Sequence, residues 1–259
     1  MLTASGRMDG HHGTRDLVAR DRYAKYDLLL YRERVAERTI WTVDCLMRVD
    51  FSFVDDSGGW WTGAERTRFV RDWERVIRGV WSTSTLLPRT RTREVGFRPV
   101  FDVSMRERAD EHWSIVVQKR SPADAAADRG ATSPSFQIVL LNQRQNQLKT
   151  LAESVQFTSA HEYGHMLNLL EDEYEAGSAH RRDPDSVMHS GNLVRARHMA
   201  RFRMWAETPI ARVEAREAEA ARRRVREFER FRRETLRGEP AARDAYRHLD
   251  ERQRRRADG

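Results

Sequence analysis

The sequence predicts an α+β fold, and three observations carry that prediction. Residues 40–54 alternate apolar and polar side chains through Cys45, Met47, Val49, Phe51 and Phe53, the period of a strand with one buried face. Residues 62–81 place Phe69, Val70, Trp73, Val76, Ile77 and Val80 at three- and four-residue intervals, the period of an amphipathic helix. Three more strand-like runs come before the next helix, and 259 residues leave room for one medium domain with appendages.

Taken in order, residues 1–14 are Gly-rich and polar and read as a disordered start. Residues 15–38 set Leu17, Val18, Tyr23, Leu28, Leu29, Tyr31 and Val35 among charges with no Pro or Gly, which predicts a helix packed on the main body. The strand over 40–54 ends in the turn Asp55-Asp56-Ser57-Gly58-Gly59, and a threonine opens the helix over 62–81. Residues 95–105, 112–118 and 136–141 read as strands, with a Pro/Ala/Asp/Gly loop over 121–135. A helix is expected over 154–170 and another over 193–205, bounded by Pro209. From 211 onward Ala, Arg and Glu dominate, which suits a solvated helix of opposite-charge neighbours interrupted at Gly238 and Pro240. The organisation expected is a start with an N-terminal helix over 1–39, a main domain over 40–209 and an Arg/Glu-rich helical tail over 210–259.

Composition narrows the function classes. The longest apolar runs, residues 138–141 and 166–170, fall far short of the ~20 residues that cross a bilayer, so no membrane span is expected. The first ten residues lack the apolar stretch of a secretory signal, so the expected location is the cytoplasm, or outside the cell by a route that uses no signal peptide. Cys45 is the only cysteine, which excludes an intrachain disulfide and a cysteine-based zinc finger and leaves any metal to His, Asp and Glu. Residues 211–259 hold 16 Arg against 11 acidic residues, most of the net charge of +7. A basic arm for nucleic acid or an acidic surface is therefore one competing reading, but the interleaved acids and the packing-type residues Phe228 and Phe231 favour a solvated helix or an arm that docks on a partner. No Gly-rich phosphate loop is present, since Gly58-Gly59 lacks the spacing.

The chemistry lies in His161-Glu162-Tyr163-Gly164-His165. Residues four apart share one helix face, so both imidazoles can reach one zinc ion while Glu162, beside the first, leans over the metal's open side. Zinc with three protein ligands lowers the pKa of a bound water to about 7, and a carboxylate then serves as general base and returns the proton to the leaving amine. The bland alternative is an ordinary buried helix with satisfied core histidines. Further on stand Glu171-Asp172-Glu173-Tyr174 and Ser186-Val187-Met188-His189-Ser190-Gly191.

This arrangement resembles the metzincin zinc peptidases, whose pattern is H-E-x-x-H-x-x-G-x-x-H or D followed by a methionine-containing turn. More narrowly, the H-E-x-G-H string with its later D-E-Y is similar to IgA-peptidase-like metallopeptidases and to bacterial peptidases associated with injection systems. The resemblance implies a small mixed sheet, an active-site helix, a Met-turn and a C-terminal helical subdomain, with zinc as cofactor and a peptide or protein as substrate. It implies His161, His165 and Asp172 as ligands, with Glu171 the alternative third ligand, Glu162 as catalytic base and Met188 beneath the metal. The glycine expected seven residues after the first His is Asn168 here, the residue next most able to take the left-handed conformation that ends a helix. His189 and His198 are spare imidazoles for which packing or surface roles are favoured over a hydrogen bond to substrate or to a metal ligand, and Tyr174 is left between tying down the loop and polarising a carbonyl. By analogy, residues 136–141 are the edge strand against which an extended peptide would pair. Two rivals remain: a catalytically silent zinc-stabilised module that binds a protein partner, and a nucleic-acid-binding protein acting through the basic tail.

Overall fold

The computed structural model describes residues 15–83, 85–90, 93–127, 130–150 and 154–238. The start over 1–14 and the tail beyond 238 lie outside the described residues. The chain divides into two units, Met1–Ala206 and Glu207–Gly259.

The first unit is α+β. Its strands are β1 (Arg15–Arg22), β2 (Asp27–Val35), β3 (Arg38–Asp55), β4 (Arg93–Ser104), β5 (Trp113–Lys119), β6 (Ala131–Ser133), β7 (Ile138–Asn142), β8 (Leu148–Thr150) and β9 (Val155–Phe157). Its helices are α1 (Gly63–Trp81), the short α2 (Pro122–Ala127), α3 (Thr158–Met166) and the opening turns of α4 (Ala200–Gly238). Seven strands form one mixed sheet in the order β1-β2-β3-β5-β7-β6, with β4 also on β3, and β8-β9 form a separate hairpin. The 18-residue β3 makes this possible, pairing antiparallel with β2, and parallel with β4 along its first part and β5 along its last.

Alternation along β3 produces the core. Trp41, Val43, Cys45, Met47, Val49 and Phe51 are buried together on one face. Helix α1 packs there, with Trp73 edge-on to Phe51 at 5.3 Å and close to Phe101 at 4.6 Å. Its start is fixed by a capping box in which the Thr62 hydroxyl accepts from the Glu65 N–H and Glu65 accepts from the Thr62 N–H. The opposite face of β3 carries Asp44 and Asp50, each held by arginines: Arg15 and Arg98 on Asp44, Arg108 on Asp50.

The helix expected over 15–38 is instead the hairpin of β1 and β2, which joins the main sheet rather than forming a separate N-terminal element. The turn into β3 is Ala36-Glu37, with Ala36 at φ +53. Neither residue is Gly or Asn, so the usual mark of a two-residue hairpin is missing, and pairing with β3 overrides local preference. The strand expected over 136–141 exists as β7, but it is not the edge. It lies between β5 and β6, and the edge is β6, inside the segment read as a loop. Three residues entered through Gly130 at φ +75 leave no periodic pattern to detect.

The helix expected over 154–170 is confined to 158–166, because β9 occupies its first residues and Asn168 adopts φ +67 just after its end. The helix expected over 193–205 starts at Ala200 and runs to Gly238, with Pro209 inside it. The surrounding Ala, Arg and Glu are strong helix formers, and Pro209 removes one backbone hydrogen bond without ending the run. In the second unit, taken by itself, the described helix beyond Val213 is largely solvent-exposed and laced with pairs such as Arg223–Glu227 at 2.8 Å and Arg226–Glu219 at 2.8 Å. Among the described residues no helix is long and apolar enough to cross a membrane.

Candidate metal centre and cleft

Helix α3 is buried at all nine positions and is held from several sides. The Trp81 indole N–H donates to the Ala160 carbonyl at 2.8 Å, and the Ser159 hydroxyl donates to the Gln145 carbonyl at 3.2 Å. Gly164 faces Met188 so closely that a Cβ there would lie 2.2 Å from the Met188 sulfur. Met188 is thus packed directly under the H-E-Y-G-H turn, and only glycine leaves room for it.

The imidazoles are oriented by backbone carbonyls. His161 Nδ1 lies 2.8 Å from the Val187 oxygen, and His165 Nδ1 lies 2.7 Å from the Leu169 oxygen. Carbonyl oxygens only accept, so each Nδ1 carries a hydrogen and the ring turns its other nitrogen, Nε2, toward the centre. Both Nε2 atoms are aimed at one atom, Asp172 Oδ1, at 2.9 and 3.3 Å. That oxygen is buried, and apart from these two contacts it has no polar partner among the described residues. Three electron-rich atoms converging within 4.8 Å repel one another unless positive charge sits among them.

The surrounding electrostatics favour that charge. Burial pulls the His165 imidazole down, but the Asp172 carboxylate, with Glu162, outweighs it and raises the group above its ordinary value. Burial pushes the Asp172 carboxyl up, yet the two imidazoles and Tyr174 bring it well below the usual carboxylate range. Two imidazole nitrogens and one carboxylate oxygen, with both Nδ1 hydrogens already engaged, form a donor set that zinc accepts. Glu171 is exposed and is not brought into this group, whereas Asp172 is.

Glu162 stands beside the centre on the cleft wall. Its Oε2 accepts a 2.6 Å hydrogen bond from the Thr132 hydroxyl on β6. Gly130, at φ +75, passes so close that a Cβ would lie 3.2 Å from Glu162 Oε1. Burial raises the Glu162 carboxyl against the opposing pull of His161 and Thr132. The cleft, about 640 Å³, is lined by Thr132, Pro134, Lys149, Gln156, Leu170, Tyr174, His189 and Ser190 together with the two histidines, Glu162 and Asp172.

The remaining residues sort by position. Tyr174 lies nearly parallel to the His161 ring at 6.2 Å and lines the cleft beside it. His189 is tied to the Arg181 carbonyl at 3.1 Å and touches the Ser190 hydroxyl, outside the ligand group. His198 is buried against Glu173 at 3.0 Å, away from the centre. Nothing in the sequence marks Thr132, Gly130 or Glu173: Thr132 lies on a strand too short for a pattern, Gly130 is a lone glycine ahead of it, and Glu173 sits in an acidic run that reads as a solvated helix end. Comparison of the chain with protein-family models, with curated proteins and with solved structures finds no match.

Proposed function

We propose that the protein is a zinc-dependent endopeptidase of metzincin-like architecture, with His161, His165 and Asp172 as ligands and Glu162 as general base. The observation that carries this reading is the convergence of two Nε2 atoms on one buried carboxylate oxygen, beside a buried glutamate that opens on a cleft. Zinc held there would acidify water and polarise a substrate carbonyl.

The chain's own residues supply the rest. Thr132 fixes one oxygen of Glu162, which leaves the other to take a proton from water in the cleft and hand it to the departing amine. The hydrogen bonds from the Nδ1 atoms keep both imidazoles turned toward the centre while substrate enters. An extended peptide would lie along the outer edge of β6, adding its backbone to the sheet within reach of Glu162. The resemblance to injection-system-associated peptidases makes delivery by such a machine part of the same proposal.

The silent zinc-stabilised module is the rival, and a buried, hydrogen-bonded carboxylate facing a cleft speaks against it, because a structural site has no use for such a base. The test is zinc content together with cleavage of casein by the wild-type protein and Glu162→Ala. One zinc in both proteins with cutting by the wild type alone is the expected result. Zinc in both with no cutting would favour the silent module, and absence of zinc would sink the metal assignment.

A further inference from the structure

Asp172 reaches the two imidazoles from a segment without regular structure, so something else must hold it in place. The adjacent residue does. Glu173 is buried, and its two oxygens accept from Arg197 Nε and Nη2, both at 2.7 Å. The same carboxylate meets His198 Nε2 at 3.0 Å. Arg197 also donates to Asp183 at 2.7 Å, and Asp183 is gripped by Arg195 at 2.9 and 2.5 Å. The Glu173 N–H donates to the Met188 carbonyl at 2.9 Å. The neighbouring carbonyl, of Val187, is the one that orients His161. A single dipeptide, Val187-Met188, therefore registers the first histidine and the loop of the carboxylate against each other.

A buried ion pair is weak support for stability, since removing two charges from water offsets most of their attraction. Its better-attested use is to enforce one arrangement over others. Here the planar two-point contact between Arg197 and Glu173 fixes the backbone on which Asp172 turns toward the histidines.

We propose that Glu173 is a positioning residue for the third metal ligand, acting through Asp172 by way of its buried pair with Arg197. The proposal rests on the reading of His161, His165 and Asp172 as ligands. Its test is a double-mutant cycle on the full chain, reading zinc affinity by competition with a chromogenic chelator and the melting temperature of each metal-free protein. Glu173→Gln is expected to weaken zinc binding about 10–100-fold when Asp172 is present. In an Asp172→Ala background the same change should alter zinc binding less than about twofold, because there is no third ligand left to position. Equal losses in both backgrounds, or no loss in either, would overturn the proposal while leaving the metal site standing. If the wild-type protein itself binds no zinc, the metal reading fails and this inference falls with it. Should Glu173→Gln not fold, Arg197→Lys, which keeps the charge but not the planar fork, goes through the same cycle with the same expectations.

Discussion

The Thr132 hydroxyl donates to Glu162 Oε2 at 2.6 Å, so the short edge strand β6 holds the carboxylate of helix α3. A hydrogen bond to a charged group contributes about 1.5 kcal/mol, and about 1.4 kcal/mol is tenfold in rate. Thr132→Val should therefore lower kcat on a peptide about tenfold and leave zinc content unchanged. Steady-state kinetics with metal analysis checks this, and full activity in Thr132→Val would remove the hydroxyl from the mechanism.

Gly164 and Met188 make a second contact that tolerates no enlargement. A methyl at 164 would meet the Met188 sulfur at 2.2 Å and the Trp81 ring at 3.2 Å. Overpacking of this kind costs about 1–3 kcal/mol, and each kcal/mol lowers the melting temperature of a domain this size by about 2–4 °C. Thermal melts of Gly164→Ala should show that loss, with part of it recovered when Met188→Ala is added. An unshifted melt would mean that the turn under α3 is free to move.

The third ligand can be decided between neighbours. Asp172→Asn should reduce zinc affinity at least tenfold, whereas Glu171→Gln should leave it within about twofold, because Glu171 is exposed and outside the group. Chelator competition on the two variants gives the answer, and the reverse pattern would reassign the ligand to Glu171.

Away from the centre, His112 makes stability depend on pH. Its side chain is 3% exposed, its Nδ1 accepts from the Arg48 N–H at 3.1 Å, and its Nε2 meets the Arg48 guanidinium. Asp27 at 3.7 Å and Asp110 act in the opposite sense, but burial and then Arg48 dominate and bring the imidazole down to about 4. The unfolded chain binds this proton near pH 6.5 and the folded chain does not, so stability is complete above about 6.5 and declines as pH falls toward 4. The decline attributable to His112 is on the order of 2–3 kcal/mol. Denaturant titrations across that window should give a steeper loss for the wild type than for His112→Gln, and parallel profiles would refute the assignment.

The strands and helices with strong periods were legible from the chain itself. The alternation through β3 reflects one face against α1, and the spacing of Phe69, Trp73 and Ile77 reflects the matching face of that helix. Asn168 was legible as a helix terminator because few residues other than Gly accept φ +67, and it holds that angle. What failed was pairing without a local signal. The hairpin of β1 and β2 turns at Ala36, where the sheet imposes a conformation that alanine does not prefer, and β6 is too short for any period to register.

By itself the sequence determined the pair of imidazoles four residues apart, the carboxylate between them and the exclusion of cysteine from any metal chemistry, because helical spacing and residue type are local properties. Only the tertiary structure decided that Asp172, not Glu171, comes to 2.9 Å from His161, that Thr132 reaches Glu162 across 30 residues, and that Glu173 points inward to Arg197. Those contacts depend on where an irregular loop and a three-residue strand are carried by the sheet and by a buried ion network. A carboxylate's neighbours along the chain do not specify its neighbours in space.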